Sequence, residues 1–106
     1  MPTPANVNAA TKAELRVVAS IDEVDAAGNI VWPGGRYGES VTYNPDGTVD
    51  QVTTTDGSTV WTQTYAFDGN WDISTVTVTD ATNTWIDTYT FSSPGVFQSN
   101  TGWILQ

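Results

Sequence analysis

The chain contains no histidine and no cysteine, and only three of its 106 residues are basic. Without a thiol or an imidazole there is no cysteine nucleophile, no histidine base, no disulfide and no zinc site of the usual ligands. Lys12, Arg16 and Arg36 face twelve acidic residues, so the formal charge is −9, which disfavours nucleic acid and anionic membranes as partners. Only 14% of the residues are charged, yet no apolar run approaches the roughly 20 residues of a membrane-spanning helix. The start, MPTPANVNAATKAEL, lacks the charged segment and apolar run of a signal peptide. What is present is aromatic and β-branched: five Trp, four Tyr, three Phe and abundant Thr. That composition suits strands and argues against both a helical bundle and disorder. The length allows one domain with a modest core.

An internal repeat organises the chain. A shift of 24 residues aligns YGESVTY (37–43), WTQTYAF (61–67) and WIDTYTF (85–91). Tyr37, Trp61 and Trp85 then coincide, as do Val41, Tyr65 and Tyr89, and Tyr43, Phe67 and Phe91. The following turns NPDGTV, DGNWDI and SSPGVF align too, and Val52 matches Val76. Period-two alternation within each segment predicts strands over about 37–43, 48–55, 59–67, 72–79, 84–91 and 96–104. Because 24 is even, every unit can place its large residues on one face of a continuing sheet. Asp56-Gly57 reads as a two-residue hairpin turn, which would set Val52 opposite Trp61 and Asp50 opposite Gln63. Thr53, Thr55, Thr62, Thr64, Thr75, Thr77, Thr88 and Thr90 collect on the other face.

The expected fold is therefore all-β, an antiparallel meander of hairpin repeats over residues 37–106. Its packing face is Tyr37, Val41, Tyr43, Val52, Trp61, Tyr65, Phe67, Val76, Trp85, Tyr89 and Phe91. A single sheet cannot shield such a face, and residues 1–36 are the cover available within the chain. Residues 1–12 read as an extended arm and 13–36 as a docking segment. Within the latter, Thr11 to Glu14 resembles a helix capping box, but VVASI favours strand, so 15–22 and 29–32 are expected to form a hairpin. Residues 1–36 carry a net charge of −1, whereas 37–106 carry eight negative charges and no positive one. Those aspartates fit turn formation and the solubility of a sheet.

Candidate chemistry is sparse. Glu39, Gln63 and Asp87 hold equivalent repeat positions on the aromatic face, and paired carboxylates near aromatics are glycosidase equipment. At the usual strand spacing Glu39 and Asp87 would sit about 19 Å apart, too far for either hydrolytic geometry. These polar residues are expected to mark a wetter end of the face or to block edge pairing. Asp46 with Asp50, and Asp68 with Asp72, are spaced by four, but no calcium-loop motif is present. No catalytic residue, metal or cofactor is expected.

The best unit, YNPDGTVDQVTTTDGSTVWTQTYAF, resembles the YD repeats of bacterial surface and toxin-delivery proteins over about residues 41–97. The whole chain is also similar in composition and layout to small bacteriophage virion proteins such as tail-fibre adaptors and capsid decoration proteins. That resemblance implies a homo-oligomer, a trimer or ring, attached to a larger virion or surface assembly. It implies synthesis in a host cytoplasm and residence in the virion, or alternatively at a bacterial cell surface. The function expected is a non-enzymatic structural protein that oligomerises through its aromatic face, without nucleic acid or membrane. The alternative is a glycan-binding or adhesion module using Trp71, Trp61 or Trp85, with Trp71 the most exposed because it lies in a turn.

Overall fold

Alternating large and small side chains, punctuated by Asp, Asn and Gly, fold the body into strands. The computed structural model describes residues 22–106, so the arm, the capping-box motif and residues 15–21 of the expected first strand lie outside the described residues. The fold is all-β. In chain order the strands are β1 (Glu23–Val24), β2 (Ile30–Trp32), β3 (Ser40–Tyr43), β4 (Val49–Thr55), β5 (Val60–Phe67), β6 (Ile73–Thr79), β7 (Thr84–Ser93), β8 (Val96–Asn100) and β9 (Ile104–Leu105). Strands β3 to β8 follow one another across one antiparallel sheet, β9 returns to pair with β7, and β1 and β2 form a separate hairpin.

The 24-residue period is structural as well as sequential. Turns 44–48 and 68–72 close with the same pair of backbone bonds, Asn44 N to Thr48 O and Gly47 N to Asn44 O in one, Asp68 N to Asp72 O and Trp71 N to Asp68 O in the other. The short turns also match. Asp56 Oδ1 accepts from the N–H groups of Ser58 and Thr59, as Asp80 Oδ1 does from Thr82 and Asn83. The strand pairing skips Asp50, Ser74 and Gln98, so a β-bulge recurs at the same place in all three units.

The turn after β4 is longer than its Asp-Gly pair suggests. Asp56 N donates to Thr59 O, and the loop spans residues 56–59. Val52 consequently pairs with Gln63 and Thr54 with Trp61, not Val52 with Trp61. The slip is two residues, an even number, so every side chain keeps its face. Across the opposite face Thr53 pairs with Thr62, Thr62 with Thr79, Thr64 with Thr77 and Thr75 with Thr88. The first sheet strand is also shorter than expected: residues 34–37 form a turn, Gly38 adopts φ +72°, and β3 begins at Ser40.

The core lies between the sheet and the β1–β2 hairpin. Val52, Trp61, Tyr65, Val76 and Trp85 are buried on the sheet side, and Val31 and Trp32 are fully buried against them. Val41, Phe67, Tyr89 and Trp103 pack around this cluster. The cover expected from residues 13–36 is thus supplied by the β2 segment, together with a tryptophan from the far end of the chain.

One turn residue departs from the pattern. Gly28, Gly47 and Gly95 occupy the left-handed position of their turns, at φ +87°, +90° and +78°, and in the second unit that position is Trp71 at +65°. A Cβ at Gly28, Gly47 or Gly95 would meet nothing within 4 Å, so backbone conformation alone favours glycine there. A tryptophan in this region costs on the order of 1–2 kcal/mol. Trp71→Gly is therefore expected to stabilise the fold by about 1 kcal/mol. Urea unfolding monitored by circular dichroism checks this, and a lower midpoint would show that the indole contributes to the fold.

Candidate functional site

The polar residues of the aromatic face do structural work. Gln63 is fully buried and Asp87 nearly so, contrary to the expectation of a wetter end. Trp32 Nε1 donates to Glu39 Oε2 at 2.8 Å. The Tyr65 hydroxyl donates to Gln63 Oε1 at 2.6 Å. Asp87 accepts from Asn100 Nδ2 and from the Gly102 N–H. Sequence pattern could place these residues on the apolar face, but the partners of Glu39 and Asp87 lie on another strand or in another loop, while Gln63 meets Tyr65 two residues along its own strand.

Two further indole–carboxylate bonds fasten the β1–β2 hairpin to the sheet. Trp85 Nε1 donates to Asp25 Oδ2 at 2.9 Å, and Trp103 Nε1 donates to Glu23 Oε1 at 3.1 Å. Asp25 also accepts from Asn29 Nδ2 and from the N–H groups of Ala27 and Asn29. The Asn29 and Trp85 side chains, then these backbone donors, lower the Asp25 pKa from 3.8 to about 2. A carboxyl lowered in this way stabilises the fold above its unfolded pKa and loses that contribution as the pH falls towards 2. Between about pH 4 and 2 the hairpin is expected to loosen, with a red shift of tryptophan emission. In Asp25→Asn the shift over that window should shrink; an unchanged shift would assign it to the other turn aspartates.

Of the four aspartates spaced by four, Asp46, Asp68 and Asp72 are engaged by turn donors and Asp50 lies at the bulge of β4. Asp46 Oδ1 accepts from the Thr48 N–H and hydroxyl, which lower its pKa. Asp68 Oδ1 accepts from the N–H groups of Asn70 and Asp72, and Asp72 Oδ2 accepts from the Gly95 N–H. Among the described residues no group of three or more acidic side chains is arranged to hold a metal, and no helix is long and apolar enough to cross a membrane.

What remains for recognition is at the margins of the sheet. The centre of the expected packing face is filled by the chain's own Val31, Trp32 and Trp103. Of its named residues, Val52, Trp61, Tyr65, Val76 and Trp85 are buried, while Val41, Phe67, Tyr89 and Phe91 are partly covered. Tyr37 is half-exposed, stacked on Trp61 at 6.4 Å with the Arg36 guanidinium over its ring. Tyr43 is 62% exposed on β3, and Val96 and Phe97 are 51% and 53% exposed on β8. Phe97 sits against Tyr89 and Phe91 with ring centroids 5.8 and 6.0 Å away. Neither β3 (SVTY) nor β8 (VFQSN) contains a charged residue, and among the described strands each is paired on one side only.

Of the three tryptophans considered for glycan contact, Trp61 and Trp85 belong to the core and Trp71 is 40% exposed. The period-two pattern marked Trp61 and Trp85 equally well as core, and the structure places them there. A shallow apolar pocket of about 210 Å³, lined by Asp25, Ala26, Ala27, Trp103, Ile104 and Leu105, was not foreseen. No family model matches the chain, and no curated protein or solved structure is significantly similar to it.

Proposed function

We propose that the chain is a non-enzymatic assembly protein that joins other copies and a larger particle through the margins of its sheet. One observation carries the reading: strands β3 and β8 present exposed aromatic and aliphatic side chains and no charge, on a chain of net charge −9. Sheet edges that must stay single are usually blunted by charge or proline, and an uncharged apolar edge favours pairing. The setting proposed, a bacteriophage particle, comes from the layout of the sequence. The acidic bodies repel one another, so association is expected to strengthen as salt screens them. Sedimentation between 0.05 and 0.5 M salt, on the order of the range over which the Debye length falls below 10 Å, tests the reading. Species heavier than the 11.4 kDa chain, increasing with concentration and salt, support it. A monomer under every condition would overturn it.

A further inference from the structure

Trp71 and the apolar pocket lie at opposite ends of the sheet. The turn carrying Trp71 joins the end of β5 to the start of β6. The pocket is bounded by β9, which pairs with Trp85 and Ile86 at the start of β7, and by the turn whose Asp25 accepts from the Trp85 indole. The seven residues of β6 run between the two ends, about 20 Å at the usual rise per residue. The indole of one molecule therefore does not fill its own pocket, and a knob at one end with a socket at the other is head-to-tail geometry.

We propose that Trp71 of one copy inserts into the pocket between residues 25–27 and β9 of the next copy. Three observations meet in this pairing. Trp71 holds the left-handed backbone position that glycine takes in the three comparable turns, and it remains 40% exposed. The chain thus keeps an unfavourable backbone for a side chain that the fold leaves half in water, the mark of a residue used elsewhere. The pocket is walled by Ala26, Ala27, Trp103, Ile104 and Leu105, with Ile104 51% and Leu105 47% exposed. Its volume of about 210 Å³ exceeds the roughly 150 Å³ of an apolar cavity that accepts a benzene ring, so an indole is of suitable size. The one charged group of the lining, Asp25, is engaged by Trp85, Asn29 and Ala27. Tryptophan is also among the residues enriched at interface hot spots, which sit in well-packed pockets. Copies joined this way form a ring if the rotation closes and a filament if it does not. Asp68 and Asp72 flank the knob and Asp25 borders the socket, so this contact too strengthens with salt.

The inference rests on the assembly reading, and two substitutions with precedent inside the chain separate the two. Trp71→Gly restores the residue found at Gly47 and Gly95; Ala27→Asp places in the socket the residue that Asp46 supplies at the same position of its own turn. Full-length variants are compared by sedimentation at high salt. At a protein concentration where the parent assembles, each alone is expected to sediment as lighter species than the parent, because only the edge contacts of β3 and β8 remain. An equimolar mixture should regain one knob-and-socket contact per pair and sediment heavier than either variant. In that pair the intact Trp71 of the Ala27→Asp copy enters the intact socket of the Trp71→Gly copy. A parent protein that assembles while either variant assembles like it, or a mixture no heavier than its two components, overturns the knob and socket and leaves the assembly reading standing. A parent that never assembles overturns both. Loss of saccharide binding by Trp71→Gly in a parent that does not assemble would assign the indole to a glycan instead.

Discussion

Trp32→Ala is expected to destabilise the protein by about 3–5 kcal/mol, the range for truncating a buried tryptophan. Trp32 is 0% exposed and lies beneath the sheet with Val31, so its removal opens a cavity bounded by strands that cannot close over it. The same change withdraws the indole N–H that holds Glu39 Oε2 at 2.8 Å, and a carboxylate on an apolar face then loses that donor. A domain of this size has a total stability of about 5–15 kcal/mol, so the variant should be close to its unfolding threshold at ordinary temperature. Trp32→Phe separates the two terms. It retains most of the buried ring and loses only the hydrogen bond, with an expected cost of about 1–2 kcal/mol beyond the volume change. Urea unfolding followed by circular dichroism measures both. A Trp32→Ala loss below about 1 kcal/mol would mean that the hairpin does not close the core, a result at odds with full burial.

The sheet was legible in the sequence because its signals are local and repeated. Aromatic residues at every second position fix a face, and the 24-residue spacing carries that face through three units. Turn chemistry was legible in kind but not in length. Asp56-Gly57 marks a turn, yet the capping bonds from Asp56 Oδ1 to Ser58 and Thr59 stretch it to four residues, which no dipeptide signal distinguishes. The bulges at Asp50 and Ser74 adjoin matching five-residue turns, and the one at Gln98 recurs although its turn is the tighter Pro94-Gly95 connection, so the identity of the bulged residue does not mark them. The cover was harder to read. Trp103 reaches Glu23 across 80 residues and Trp85 reaches Asp25 across 60, and neither partner is marked by any neighbouring pattern. The candidate surfaces are legible only after the core is known, since Trp61, Trp71 and Trp85 look alike until burial removes two of them.

Asp87→Ala is expected to cost about 2–4 kcal/mol, from the loss of hydrogen bonds to a charged acceptor in a buried place. The final strand does not run unbroken as its repeat position predicts. It pairs with β7 from Val96 to Asn100, breaks at residues 101–103, and resumes at Ile104 and Leu105 against Ile86 and Trp85. Gly102 takes φ +74° at the break, where the preceding unit has Val78 in the core. Asp87 accounts for the break. Its carboxylate lies on the core face of β7, 4% exposed, and draws in the Asn100 amide and the Gly102 N–H at 3.0 and 3.1 Å. That detour turns Trp103 onto the core cluster, where its indole meets Glu23, and it brings Ile104 and Leu105 to the rim of the apolar pocket. In Asp87→Ala the N–H of Gly102 and the Asn100 side chain lose their acceptor, and the hold on the terminal strand goes with them. Hydrogen exchange should accelerate at Ile104 and Leu105 well before it does in β5 and β6, because the break is local and those strands lie in the middle of the sheet. Asp87→Asn keeps the shape and one acceptor, so it should recover about half of the lost stability. Uniform acceleration across all strands would instead show that Asp87 supports the whole core rather than the terminal detour.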